Sequence, residues 1–116
     1  LVISVLIVSY EAREVLPRCL ASVADLAQNG HEVWVVDNAS SDGSADLVRS
    51  DFPFCRLLEM EGNVGFGAAN NRAAHQARGD ALLLLNPDAW LTGGCASQLK
   101  GVLDRQEEVG LAYPKI

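Results

Sequence analysis

Short apolar segments alternate along this chain with longer segments that carry helix signals. Residues 2–8, 32–36, 54–60 and 81–85 are largely apolar, as strands buried in a sheet are. Residues 14–28 carry apolar side chains at helical spacing, and we predict further helices over 44–50, 68–77 and 95–106. Gly79 is read as the stop of the third helix, and a fifth strand is expected from Gly110. This alternation predicts a three-layer α/β/α, Rossmann-like fold with a mostly parallel sheet.

The fourth apolar segment ends abruptly in Asn86-Pro87-Asp88. Pro87 has no N–H group for a strand ladder and pushes Asn86 towards an extended conformation, so the strand must stop there. Asp88 is therefore placed at the carboxyl end of a central strand, where open α/β sheets bind ligands. Its carboxylate is either a ligand for a divalent cation or an ordinary turn residue.

Polar clusters follow three of the predicted strands: Ser9-Tyr10-Glu11, residues 37–40 and residues 86–88. If the strand order is 3-2-1-4, the switch-point crevice lies between Tyr10 and Asp88, with Asp37 one strand away. A nucleotide across that edge would meet an aromatic ring and two carboxylates. Alternatives remain open, because Asp37 could cap the following turn and Tyr10 could be structural.

Composition narrows the class of protein. The chain has 116 residues, 49% hydrophobic and 21% charged, which is typical of one globular domain. A net charge of −6 argues against non-specific nucleic-acid binding, and no apolar run is long enough to cross a bilayer. Cys19, Cys55 and Cys95 form no CxxC pair, so we predict small buried side chains in a reduced, cytosolic setting.

Two common phosphate-binding motifs are missing. No GxGxxG follows the first strand, and there is no Walker A lysine motif. Gly65-Phe66-Gly67 precedes a predicted helix but follows the third strand, so it indicates little by itself. A phosphate group would therefore have to be handled by a metal ion.

The ordered set of motifs resembles the family 2 glycosyltransferases, which have the GT-A fold. It consists of residues 7–10, 35–44, 63–71 and 84–88, and it covers essentially the whole chain. Asn86-Pro87-Asp88 looks like the rhamnosyltransferase-like subgroup, in which this tripeptide stands where other members have Asp-x-Asp. The resemblance implies that the chain, residues 1–116, is a single nucleotide-sugar-binding domain, the N-terminal half of a longer enzyme.

The resemblance also implies residue roles. Asp37 would hydrogen-bond the base or ribose, and Asp88 would bind a divalent cation, Mg²⁺ or Mn²⁺, that bridges the diphosphate. The remaining expected nucleotide-sugar contacts are Ser9, Tyr10, Glu11, Asn63, Gly65 and Asn86.

Three positions depart from the family pattern. Many members have asparagine where Glu11 stands and arginine where Asn70 stands, so one base or phosphate contact is altered. Asn86 replaces an acid and lowers the negative charge of the expected metal site, so the requirement for a cation is left open.

The implied chemistry is inverting transfer of a sugar, with rhamnose a candidate, from a dTDP- or UDP-sugar to a glycan or lipid-linked acceptor in polysaccharide or cell-wall biosynthesis. The family's catalytic base would lie beyond Ile116, so we expect this chain to be inactive alone. Without the second half, apolar surface on the helix 95–106 side or the final strand would be uncovered, so we expect a homo-oligomer. The full-length protein is expected in the cytoplasm or at the inner face of the membrane. A non-catalytic nucleotide-binding or assembly module is the alternative.

Overall fold

The computed structural model describes residues 2–92, which form a parallel sheet of four strands connected by three helices. In chain order the elements are β1 (Ile3–Ser9), α1 (Leu16–Gln28), β2 (Glu32–Asp37), α2 (Ser44–Asp51), β3 (Arg56–Glu59), α3 (Phe66–Gln76) and β4 (Ala81–Leu84). The predicted helix over 95–106, the strand from Gly110 and Cys95 lie outside the described residues.

The sheet has the order β3-β2-β1-β4, with every neighbouring pair parallel. β1 is therefore central, and the chain reverses direction across the sheet between β3 and β4. All four strands end at the same edge, which is called the carboxyl edge below. The predicted α/β fold is confirmed, and the observed strand order is the 3-2-1-4 order on which the expected switch-point crevice was conditional.

Alternate strand residues supply the two faces of the sheet, as the two-residue period of a strand requires. Val5 and Val35 belong to the face covered by α1 and α2, and Leu6 and Val36 belong to the face covered by α3. Helices on both faces explain why the strands are nearly continuous apolar runs. Trp34 packs on the α3 face with Leu6 and Val36.

Several helices and strands begin or end at residues other than those predicted. α1 begins at Leu16 rather than residue 14, because residues 13–15 form a turn, and Pro17 lies in its first turn. β3 is shorter than predicted, since the Cys55 N–H bonds to the Phe52 carbonyl in a turn around Pro53. β1 and β2 each extend one residue further, to Ser9 and Asp37. These shifts leave the order of elements unchanged.

The third helix was also bounded wrongly. α3 begins at Phe66, directly after Gly65, whose φ of 86° is in the left-handed region that glycine tolerates. It ends at Gln76, so Gly79 is not its stop. An added Cβ at Gly79 would clash with Ser4 Oγ and lie 2.7 Å from Ser4 N. Gly79 is therefore required for close packing of the chain against the start of β1.

Two cysteines lie in the described part of the chain, and neither is in a disulfide. Cys19 is buried, and Cys55 is partly buried against the same core. Burial raises the pKa of each thiol to about 12, with a smaller contribution from Asp88 at Cys19 and from Cys19 at Cys55. The prediction of small buried side chains is confirmed for Cys19 and partly for Cys55.

Candidate functional site

The candidate site is built where β1 and β2 end side by side. Ser9 pairs with Asp37 in the parallel register, and both residues are buried although both side chains are polar. The Asn38 N–H donates to the Ser9 carbonyl at 2.9 Å, which continues the ladder by one step. The sheet thus holds two polar side chains rigidly at the centre of its carboxyl edge.

One oxygen of the Asp37 carboxylate accepts a hydrogen bond, and the other has no partner among the described residues. Oδ2 accepts the Ser40 N–H at 3.0 Å, so Asp37 also holds the loop that follows β2. Oδ1 is buried and has no hydrogen-bond partner among residues 2–92, and the same holds for the Ser9 hydroxyl. Because a buried polar atom without a partner is costly, these two atoms mark a place suited to a polar ligand.

Asn38 connects this strand end to the loop before α3. Its Oδ1 accepts the Val64 N–H at 3.0 Å, and its Nδ2 donates to the Gly65 carbonyl at 3.4 Å. Asn63 bonds locally, accepting the Gly65 N–H through Oδ1 at 2.9 Å. Asn63 and Gly65 therefore lie beside the end of β2, as expected for a pocket wall. The sequence pattern did not indicate this role for Asn38.

Glu11 links the loops that follow β1 and β2. Its Oε1 accepts the Ser41 N–H at 2.6 Å and the Ser41 hydroxyl at 2.9 Å, and its own N–H donates to the Ser40 hydroxyl. Glu11 and Ala39 both have positive φ, 50° and 65°, which is strained for residues with a Cβ. The Glu11 carboxylate is thus committed to holding loop geometry at the site.

Exposed apolar side chains flank the same edge. Tyr10 is 53% exposed directly after buried Ser9, and Phe66 is 55% exposed at the first turn of α3. Val64, in the loop that Asn38 holds, is also exposed. Flat apolar and aromatic surfaces beside buried polar groups are typical of small-molecule sites.

The Asn86-Pro87-Asp88 segment leaves the sheet on the other side of β1. The Leu85 N–H still donates to the Leu6 carbonyl, and then the Ala89 N–H bonds the Asn86 carbonyl in a turn. Asn86 and Asp88 are exposed, and within the described part of the chain neither side chain makes a hydrogen bond. Asp88 lies near Cys19 of α1, since its charge contributes to the raised pKa of that thiol.

The single carboxylate of Asp88 suits a cation that phosphate oxygens of a ligand would also bind. No group of three or more histidine, cysteine or acidic side chains comes together among the residues that are described. Mg²⁺ and similar hard cations bind one or two carboxylates and complete their shell with water and substrate phosphates. Asp88, exposed and without a hydrogen bond, suits that role, whereas Asp80 accepts the Val2 N–H and is structural.

The structure therefore brings the expected site residues to one edge of the sheet. Ser9 is central, Asp37 lies on the β2 side, and Asp88 follows β4 on the opposite side. Asp42 lies in the loop that follows β2. Hydrogen bonds from Ser44, the largest cause, and from the Arg13 N–H lower the pKa of its carboxyl, although partial burial acts in the opposite direction. Of the helices that are described, none has the length and apolar character to cross a membrane.

Known proteins share this architecture. The rhamnosyltransferase of Mycobacterium tuberculosis named N-acetylglucosaminyl-diphospho-decaprenol L-rhamnosyltransferase is 30% identical over 126 aligned positions, covering 99% of this chain and 41% of the relative. The chain thus spans about two-fifths of that relative's length.

Solved structures agree on the fold. S. aureus TarS 1–349 superposes with a TM-score of 0.83 at 24% identity, covering 92% of this chain and 33% of that one. The mannosyltransferase PcManGT of Pyrobaculum calidifontis, in complex with GDP-Man and Mn²⁺, gives a TM-score of 0.80 at 25% identity, covering 87% and 32%.

The sequence model of the family described as glycosyl transferase family 2 matches residues 4–115. That match includes every strand end described above, and the structural neighbours have the GT-A fold that the motifs imply. The chain belongs to glycosyl transferase family 2.

Proposed function

We propose that this chain binds a nucleotide-diphosphate sugar at the carboxyl edge and supplies the donor site of a sugar transferase. The observation that carries the proposal is the buried Asp37 Oδ1, which has no partner among the described residues and lies at a rigid strand end. The imide N–H of uracil or thymine, or a ribose hydroxyl, is the kind of donor that this oxygen lacks.

Neighbouring residues complete a nucleotide pocket in this proposal. The Ser9 hydroxyl supplies a second buried polar contact, and the Tyr10 ring offers an exposed face to a base. Asn63 and Gly65 form the wall that Asn38 holds in place. Glu11 shapes the pocket through Ser41, which its carboxylate binds.

Asp88, helped by Asn86, would hold Mg²⁺ or Mn²⁺ on the diphosphate. The Mn²⁺ in the mannosyltransferase complex supports this assignment. When bound, the cation would neutralise charge on the departing diphosphate. With asparagine at 86 in place of an acid, the protein offers one carboxylate here, so diphosphate oxygens have to contribute to cation affinity.

The reaction follows from the family. An acceptor hydroxyl would attack the anomeric carbon in line as the bond from that carbon to the nucleoside diphosphate breaks, which inverts the configuration. A carboxylate beyond Ile116 would take the hydroxyl proton. The name of the mycobacterial relative supports rhamnose as the sugar and a lipid-linked acceptor, and hence action at the inner membrane face. Residues 1–116 would be the nucleotide-binding half of the enzyme, and association of this half into an oligomer is expected.

Calorimetric titration of dTDP- and UDP-sugars, with Mn²⁺ and with EDTA, tests the donor site. We expect binding that Mn²⁺ strengthens, and Asp37→Asn should weaken it roughly ten- to hundredfold, because a bond to a charged group contributes about 1.5–3 kcal/mol. Asp25→Asn, an exposed change in α1, is the matched control.

Two results would redirect the proposal. Equal binding by wild type and Asp37→Asn would remove Asp37 from the site and with it the proposed pocket. Binding of free nucleotide with no preference for the sugar conjugate and no effect of Mn²⁺ would favour the alternative, a non-catalytic nucleotide-binding module.

A further inference from the structure

α1 contacts the Asp88 segment through three side chains in its first two turns. The Cys19 thiol donates to the Asn86 carbonyl at 3.6 Å, and the Ser22 hydroxyl accepts the Leu91 N–H at 3.0 Å. The Arg18 guanidinium carbon lies 3.5 Å from the centroid of the Trp90 ring. These contacts span the whole segment from 86 to 91, on both sides of Asp88.

The segment needs such support because it has left the sheet. The ladder to β1 ends with the Leu85 N–H, and the only backbone hydrogen bond described beyond it is the local turn from Ala89 to Asn86. Ala89 and Leu91 are buried in the core under α1, which fixes their depth. Apolar burial is not directional, whereas a hydrogen bond fixes the orientation of the backbone.

Ser22 is suited to that directional role. Its hydroxyl proton is directed to the Cys19 carbonyl, 2.6 Å away, which leaves a lone pair to accept the Leu91 N–H. A single serine thereby joins the backbone of α1 to the backbone three residues after Asp88. Arg18 adds a cation–π contact whose ring partner, Trp90, is otherwise an exposed apolar side chain.

We propose that Arg18 and Ser22 are positioning residues, which fix the turn that carries Asp88 so that its carboxylate is already oriented for the cation–diphosphate group. The inference rests on the proposed function, in which Asp88 binds the cation. Preorganisation of this kind tightens the cation-dependent part of nucleotide binding and leaves the base-dependent part at Asp37 unchanged.

The test separates these two parts by titrating the whole chain with dTDP in EDTA and in Mn²⁺. The Mn²⁺ gain is defined as the dissociation constant in EDTA divided by that in Mn²⁺. Ser22→Ala and Arg18→Gln should each lower the Mn²⁺ gain about two- to tenfold, the equivalent of one lost contact. The dissociation constant in EDTA should not change. Ser22→Thr keeps the hydroxyl and should restore the gain.

Matched controls are available elsewhere in the chain. The Ser50 hydroxyl donates to the Leu47 carbonyl in α2, just as the Ser22 hydroxyl donates to the Cys19 carbonyl in α1. Ser50→Ala therefore removes a similar bond away from Asp88. Arg56 lies over the Trp34 ring at 5.6 Å, so Arg56→Gln removes a similar cation–π contact. Both controls should leave the Mn²⁺ gain unchanged.

Asp88→Asn distinguishes failure of the inference from failure of the proposed function. If it abolishes the Mn²⁺ gain while Ser22→Ala and Arg18→Gln do not lower it, the positioning role is overturned and the cation site stands. If Asp88→Asn leaves the gain intact, or wild type shows none, the cation site fails and the positioning role fails with it. The two α1 variants remove independent contacts, so a folding defect in one leaves the other decisive.

Discussion

Asp37 and Asn38 are adjacent at the end of β2, yet their side chains have different partners. Asn38 uses both side-chain atoms to hold residues 64 and 65, while Asp37 keeps one buried oxygen without a partner in the described chain. A residue that has satisfied its hydrogen bonds can shape a site, and one that has not can bind a ligand there. In the proposed pocket, Asn38 would therefore shape the wall and Asp37 would contact the ligand.

Gly79→Ala should destabilise the protein by about 1–3 kcal/mol, the usual cost of overpacking. The added Cβ would meet backbone, Ser4 N at 2.7 Å and Val2 O at 2.9 Å, and backbone in a central strand cannot move aside. Urea unfolding measures the change. Gly62→Ala is the control, because its Cβ would have nothing within 4 Å. Equal unfolding midpoints for the two variants would contradict the close approach.

Roles of single residues were only partly predictable. The positions of Asp37 and Ser9 at strand ends were predictable, because a polar residue at the end of an apolar strand stands out in the sequence. The commitment of Glu11 to Ser41 was not, because it joins two loops whose shape depends on positive φ at residues 11 and 39. No periodic pattern encodes such a contact. Asn38 was missed for the same reason.

At the scale of elements, Glu32 links several strands at the edge opposite the site. Glu32 accepts the Ser4 hydroxyl from β1 at 2.7 Å and the Arg78 N–H before β4 at 2.7 Å, through the same Oε1. Its Oε2 lies 3.6 Å from Arg56 Nε of β3. One side chain in β2 therefore ties together the beginnings of all three other strands.

Stability should fall in acid partly because of Glu32. Burial alone would raise the pKa of this carboxyl, but the bonds from Ser4, Arg78 and Trp34, with the charge of Arg56, lower it below the ordinary 4.5. A lowered folded-state pKa stabilises the fold above the unfolded-state value. That contribution is lost as pH falls through the folded-state pKa.

Glu32→Gln should remove this part of the acid dependence. At neutral pH it should cost roughly 1–2 kcal/mol, since charge-assisted bonds are replaced by neutral ones. The free energy of unfolding is measured from about pH 3 to about pH 7, which covers the range where carboxyl groups titrate. Glu61→Gln, an exposed change, is the control. A variant that retains the wild-type slope would contradict the role of Glu32.

Elements were predicted better in their interiors than at their ends. The apolar faces of β1, β2 and α1 follow from the spacing of apolar residues along the sequence. The ends depend on local hydrogen bonds, such as Cys55 N–H to the Phe52 carbonyl, which shortened β3. Gly79 was misread because a glycine after a helix has two uses, as a stop and as room for close packing.

At the scale of the whole molecule, strand order determines which residues can meet. The chain runs from β1 to β2 to β3 and returns to place β4 on the other side of β1, so the ends of β2 and β4 flank Ser9. Right-handed crossovers then put α1 and α2 on one face and α3 on the other. The strand order could be assumed from the sequence but not predicted. Strands of similar apolar character do not specify which strands they pair with.

The purified chain of residues 1–116 should bind donor nucleotide and transfer no sugar. It spans about two-fifths of the mycobacterial relative, and the base that the family resemblance implies lies beyond Ile116. Without that base the acceptor hydroxyl would not lose its proton, although the donor and cation contacts proposed at Asp37 and Asp88 lie within the chain. The measurement is release of nucleoside diphosphate from dTDP- and UDP-sugars with a lipid-linked acceptor, with the full-length mycobacterial relative as positive control. Sustained turnover by the chain would place a working base within it, whereas binding without turnover is the result expected of a donor half.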